Sequence, residues 1–215
     1  MSRCDAVSRS DDVVGEECSA GLGVTLRVRR AATPMTEGQL TGGERRQWHV
    51  LATGPRRSDW LLGRTALKAL LSEAADTSTL SFPHPRLSLT HAGGVAVAVA
   101  AGLGIGGDPV VVAGTGVDHE PWRTVDARMA RFFLHAREQS TSLGLLRAWT
   151  VKEALYKAVP ANLGLTLLDI TLDDPDAPNG GASGPRGERL RYTVIDTAAG
   201  PLAAAVCLED CRVIV

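Results

Sequence analysis

The run "GGVAVAVAAG" constrains the fold more than any other stretch of this chain. From residue 95 to residue 101 every side chain is Val or Ala, so a strand built from it is apolar on both faces. Such a strand cannot turn either face to water and must lie centrally, covered on both sides. It is far too short to cross a bilayer. The preceding "RLSLTHA" reads as a second strand, joined to it by a turn at Ala92-Gly93-Gly94.

The remaining segments mix strands and helices without βαβ alternation, which predicts an α+β fold. "VTLRVRRA" alternates apolar and basic residues as a half-buried strand does. Residues 44–71 turn helical, with Trp60, Leu61, Arg64, Leu67 and Leu71 at helical spacing and Ser58 or Asp59 as the cap. "TVDARMARFFLHAREQS" and "SLGLLRAWTVKEALYKAV" predict two more helices. "ANLGLTLLDITL" returns to strand, "DDPDAPNGGASGPRGER" reads as a flexible loop, and "LRYTVID" with "LAAAVCLED" closes as a strand pair. Residues 1–22 are polar and small, and read as a flexible N-terminal segment.

Gly102, Gly104 and Gly107 match the G-x-G-x-x-G fingerprint of dinucleotide sites directly after a strand. That motif needs a helix next, whose N-terminus takes the pyrophosphate. Here Asp108-Pro109 and a β-branched run follow, so the glycines read as a hairpin connection between strands.

Composition narrows the partners. The 215 residues carry a net charge of −1, which argues against nucleic acid and leaves any charged ligand to a local cluster. The four cysteines show no CxxC pairing, so a structural zinc site is not expected. No apolar leader or membrane span is visible, which predicts a cytoplasmic protein without membrane contact.

Three short stretches could carry chemistry. In "GVDHEP", Asp118 and Glu120 share one face of a strand while His119 faces opposite. Two like charges so close are tolerated in water or around a cation, and Mg²⁺ is the hard cation suited to them. In "WTVKEALYK", Trp149, Glu153 and Lys157 recur every fourth residue along one stripe, with Lys152 about 100° away. A surface ion pair would explain Glu153 and Lys157. Apolar residues on either side mark a largely buried helix, however, where charges need a partner or a task. Thr90-His91 ends a strand just before two glycines, where backbone can approach a ligand closely.

Taken together and in this order, "LSLTHAG", "GVDHE" and "WTVKEALYK" resemble the signatures of the 4'-phosphopantetheinyl transferases of the Sfp type. The resemblance extends more weakly to "SDWLLGRTALKAL", "ARFF" and "LAAAVC", and so spans most of the chain after about residue 40. It implies two similar α+β halves related by a pseudo-two-fold axis, here residues 23–113 and 114–215, with coenzyme A bound in the cleft between them. It implies transfer of the phosphopantetheine arm of coenzyme A to a serine of an acyl or peptidyl carrier protein, and by analogy a monomer. Asp118, Glu120 and Glu153 would hold Mg²⁺, or Mn²⁺. Glu153 would also serve as base. Lys157 would neutralise the pyrophosphate, assisted by Lys152, and Thr90 with His91 would contact the 3'-phosphate.

Some family features are altered. Ser-His-Ser reads Thr90-His91-Ala92, and the Gly-Lys-Pro element upstream is replaced by "SFPHPRLS". Asp59 stands where a basic residue is common, leaving Arg57 or Arg64 as substitutes, while Arg45 falls near another phosphate-binding position. Carrier docking would fall after Glu120, at Trp122, Met129, Phe132 and Phe133, with Arg128 and Arg131 facing an acidic helix. Two other readings fit the same residues: a Mg²⁺-dependent phosphohydrolase of coenzyme A or a nucleotide, and a non-catalytic coenzyme A or carrier-binding module.

Overall fold

A computed structural model describes residues 16–18, 21–51, 55–104, 111–139 and 141–209. Strands β1 (Glu16–Cys18), β2 (Val24–Ala31), β3 (Leu87–Ala92) and β4 (Val95–Gly104) form one antiparallel sheet of order β1-β2-β4-β3. The Val/Ala run is β4, flanked on both sides as its composition demands. Its alanines at 96, 98 and 100 face Leu62, Ala66, Leu67 and Leu70 of helix α2 (Pro55–Leu71), beside the shorter α1 (Gly42–Val50). Its valines at 97 and 99 join Val28 against Val117 and Leu202 of the second half.

The second sheet contains β5 (Val112–His119), β6 (Thr171–Leu172), β7 (Asn179–Ser183), β8 (Arg189–Thr197) and β9 (Gly200–Leu208), in the order β5-β9-β8-β7-β6. Helix α3 (Leu145–Ala158) covers one face, packing Val151, Ala154, Leu155 and Ala158 on Tyr192, Ala203 and Ala205. Both halves share one wiring. In β2-β4-β3 and in β5-β9-β8 the first strand pairs with the last, the last pairs with the one before it, and a long helix is inserted after the first strand. No helix among the described residues is long and apolar enough to cross a membrane.

The halves also repeat a buried ion pair. Glu44 meets Lys68 at 3.1 Å in the first half, and Glu138 meets Lys152 at 2.8 Å in the second. Each glutamate accepts from the backbone N–H three residues before it, Thr41 or His135, and from a distant one, Thr77 or Leu172. Burial works against both carboxylates, but these hydrogen bonds outweigh it and hold Glu44 and Glu138 below the usual carboxylate range. A carboxyl with a lowered folded-state pKa stabilises the fold above its unfolded pKa, and that contribution is lost as pH falls through the folded value. Thermal unfolding followed by circular dichroism should therefore show a midpoint that drops below about pH 4.5, and less so in a variant with both glutamates replaced by glutamine.

Several local expectations are corrected. The helix expected over "TVDARMARFFLHAREQS" is two 3₁₀ turns, Ala127–Phe132 and Ala136–Glu138. The chain breaks between them because Phe133 and Leu134 turn inward under α3 and Glu138 must reach its buried lysine. The Pro/Gly-rich loop contains β7, which pairs with β8. Residues 16–18, expected in a flexible segment, pair with β2, and Leu22 is fully buried. Helix α2 begins at Pro55, a residue suited to a first helical position, so Ser58 and Asp59 lie inside the helix and are not its cap. The glycine-rich connection is no hairpin, because β4 and β5 belong to different sheets, and Gly107 lies outside the described residues. The next described element after it is the strand β5.

Candidate active site where the halves meet

Two glycines place α3. Gly114 and Gly116 lie two apart on β5 and so share a face, and a Cβ on either would overlap a helix carbonyl, that of Ala158 or Ala154 respectively. The helix backbone therefore rests directly on the strand. The pairing of 114 with 158 and 116 with 154 means that α3 runs antiparallel to β5. Four helical residues rise about 6 Å and two strand residues about 6.6 Å, so the two elements stay in step. One step further along β5 stands Asp118, and the stripe of Trp149, Glu153 and Lys157 faces it.

Lys157 Nζ lies 2.8 Å from Asp118 Oδ1 and also donates to the carbonyl of Val117 at 3.2 Å. Thr90 Oγ1, arriving from β3 of the other half, donates to the same Asp118 oxygen at 3.0 Å. The second oxygen, Asp118 Oδ2, is buried without a hydrogen-bond partner. Glu120 accepts from the Trp149 indole at 3.2 Å through one oxygen and from Arg123 through the other. The Trp149 ring is in turn held edge-on by Phe133, with centroids 5.1 Å apart.

Glu153 closes this group. Burial, then the Asp118 carboxylate and less strongly that of Glu120, push its carboxyl above the usual range, against the opposing pull of Lys157. Three carboxylates thus share one field, an arrangement that a cation would relieve. Among the described residues, no three His, Cys, Asp or Glu side chains stand together as a ready-made metal cage. The donor set still suits Mg²⁺: all oxygen, one carboxylate oxygen buried without a partner, and one carboxyl disfavoured as an anion.

The other expected residues divide. His91 rests on α2, where a Cβ at Gly63 would come within 2.6 Å of its Nε2. Partial burial there holds the imidazole below its usual range, with Asp59 opposing and Lys157 and Arg64 reinforcing, while one edge stays open to solvent. Thr90 was expected on the 3'-phosphate, but its hydroxyl is buried and committed to Asp118. Lys152 was expected near the pyrophosphate. Its ammonium is instead fully buried, between Glu138 and the carbonyl of Ile170, acceptors that a buried charge on the inner side of α3 requires.

Arg64 is also spent inside its own half, donating to the carbonyl and hydroxyl of Thr77 and lying over the Trp60 ring. Arg57 stacks 4.0 Å over Trp48, and exposed Arg45 donates to the Leu40 carbonyl. His119 faces away from its neighbouring carboxylates. It is buried, without a hydrogen-bond partner, and held below its usual range by burial and by Arg30. Phe133, expected on a docking surface, is core, whereas Trp122, Met129 and Phe132 are exposed.

The sequence reading missed the Trp149 indole as a donor to Glu120 and the helix seat made by Gly114 and Gly116. The second was marked by alternating glycines on one strand face.

Residues 114–207 match the family model of the 4'-phosphopantetheinyl transferase superfamily. No curated protein matches the chain. The matched segment is somewhat less than half of the chain, yet it runs from the Gly114 helix seat through Asp118, Glu120, Glu153 and Lys157 to the end of the β9 core. This protein therefore carries, in its second half, a domain of the 4'-phosphopantetheinyl transferase superfamily.

Proposed function

We propose that the protein moves the 4'-phosphopantetheine arm of coenzyme A onto a serine hydroxyl of an acyl or peptidyl carrier protein, as an Sfp-type transferase. The observation that carries this reading is the convergence of Asp118, Glu153 and Lys157 on one spot beside a residue of the other half, Thr90.

In such a transfer the serine oxygen forms a bond to the phosphorus bearing the pantetheine arm. The bridging P–O bond breaks, and adenosine 3',5'-bisphosphate leaves. Glu153 suits the role of base, since a carboxyl pushed upward takes a proton more readily than an ordinary one. Lys157 can release Asp118 and follow the pyrophosphate, offsetting the charge that builds on the leaving phosphate. Thr90 then keeps Asp118 oriented. Asp118, Glu120 and Glu153 are the residues that would hold Mg²⁺, which when bound supplies Lewis-acid polarisation of the phosphate oxygens. His91, and on the same half Arg45 and Arg57, are the residues this reading offers to the 3'-phosphate.

The carrier would meet the exposed segment after Glu120. Phe132 and Met129 offer apolar contact, and Arg128 with Arg131, the latter stacked over Phe132, offers positive charge to an acidic helix. Arg128→Ala with Arg131→Ala should raise the KM for the carrier roughly tenfold, by about 1.4 kcal/mol, and leave coenzyme A affinity alone. An unchanged carrier KM removes this surface from the account.

The reading as a whole is tested by incubating the protein with coenzyme A, Mg²⁺ and a panel of apo carrier proteins, and weighing the carriers by mass spectrometry. A phosphopantetheine adduct that chelator abolishes supports it. Coenzyme A cleavage without an adduct favours a phosphohydrolase, and binding with neither favours a non-catalytic module.

A further inference from the structure

The lysine of the Lys152-Glu153 doublet is buried away from the carboxylates, and the first half shows why. There Lys68 of α2 meets Glu44 with the same wiring: the glutamate accepts from the backbone N–H three residues before it, and the lysine also donates to a carbonyl beyond its helix, Glu73 in one half and Ile170 in the other. Yet the residue after Lys68 is Ala69, where the second half has Glu153. The device thus occurs where no carboxylate follows the lysine, and in both halves the ammonium is spent on protein acceptors inside the fold.

We propose that the Lys152–Glu138 pair is a positioning lock that fixes the rotation of α3, so that Glu153 and Lys157 face Asp118, and that Lys152 touches no substrate. A lysine fully buried on one side of a helix has one place for its charge. The next residue is then turned by about 100°, which directs Glu153 toward the strand carrying Asp118. Glu138 is held by the backbone N–H of His135, at the start of its own 3₁₀ turn, and ties the lock to β6 through the backbone N–H of Leu172. The activity part of the test rests on the transfer reading above, whereas the structural part does not.

The variant Lys152→Met/Glu138→Leu removes both charges and strands neither, which a buried pair tolerates better than a single loss. Lys68→Met/Glu44→Leu is the matched control. Proton–nitrogen spectra of protein labelled at tryptophan report α3 directly, because the Trp149 indole N–H donates to Glu120. The lock predicts that the Trp149 indole resonance shifts in the first variant while those of Trp48 and Trp60 stay, and the reverse in the control. It also predicts a kcat at least tenfold lower in the first variant, with coenzyme A affinity by calorimetry within threefold.

An unmoved Trp149 resonance with unchanged kcat overturns the proposal, as does a tenfold loss of coenzyme A affinity with kcat retained, which would make Lys152 a ligand contact. Should the double variant lack a cooperative melt, Glu138→Gln takes its place under the same criteria. If the unaltered protein forms no adduct on any carrier, the transfer reading fails, and the indole spectra still decide the lock.

Discussion

Gly116→Ala should cost at least about 3 kcal/mol of stability, a large share of the roughly 5–15 kcal/mol that holds a domain together. The added methyl would occupy the position of the Ala154 carbonyl oxygen, which is helix backbone and cannot swing aside as a side-chain end could. Helix α3 would have to lift from β5. In doing so it would open the contacts of Ala154, Leu155 and Ala158 with the second sheet and draw Glu153 and Lys157 away from Asp118. Gly114→Ala should act in the same direction through the carbonyl of Ala158. Denaturant unfolding followed by tryptophan fluorescence reads the loss as a lower midpoint. A midpoint equal to that of the unaltered protein would mean that the helix does not rest on the strand as described.

Glu153→Gln should have the opposite signature, losing activity without losing the fold. As the proposed base, Glu153 contributes roughly 10²- to 10⁴-fold to the rate, and an amide of the same shape cannot take the serine proton. Stability should hold or rise above neutral pH. The folded protein pushes this carboxyl upward, through burial and then through Asp118, so it resists the charged form that a glutamine never adopts. Transfer rates by carrier mass and thermal midpoints at pH 8 measure the two effects together. A variant that keeps its rate, or one that melts well below the unaltered protein, contradicts this assignment. A destabilised but more active protein would contradict it twice over.

How much of this was legible in the sequence depended on whether a residue's task is local. The central strand announced itself, because a Val/Ala run with no polar face has only one place in a sheet. The tight β3–β4 turn was equally plain, with Gly93 and Gly94 both at positive φ. Period two on a strand put Asp118 on one face with Glu120, and period four on a helix put Glu153 on one stripe with Trp149 and Lys157, whereas the meeting of the two groups came from the family resemblance. What stayed hidden depends on residues far apart in sequence. Lys152 and Lys157 look alike in a helical repeat, and only the 0 % exposure of the former, against a half-buried Lys157, separates a lock from a site residue. The helix expected over residues 124–140 has the right periodicity, but its apolar residues serve the underside of α3, and the break at Phe133 serves that packing. Thr90 reads as a phosphate contact until its neighbour on the other half is known.

The claim on which the account depends is that Asp118, Glu120 and Glu153 share one divalent cation when coenzyme A is bound. Titration of Mn²⁺ into the protein with coenzyme A present, followed by electron paramagnetic resonance, tests it most directly. The account predicts one bound Mn²⁺, weakened at least tenfold in each of Asp118→Asn, Glu120→Gln and Glu153→Gln while all three remain folded. Mn²⁺ binding that is absent from the unaltered protein, or indifferent to all three substitutions, would contradict it.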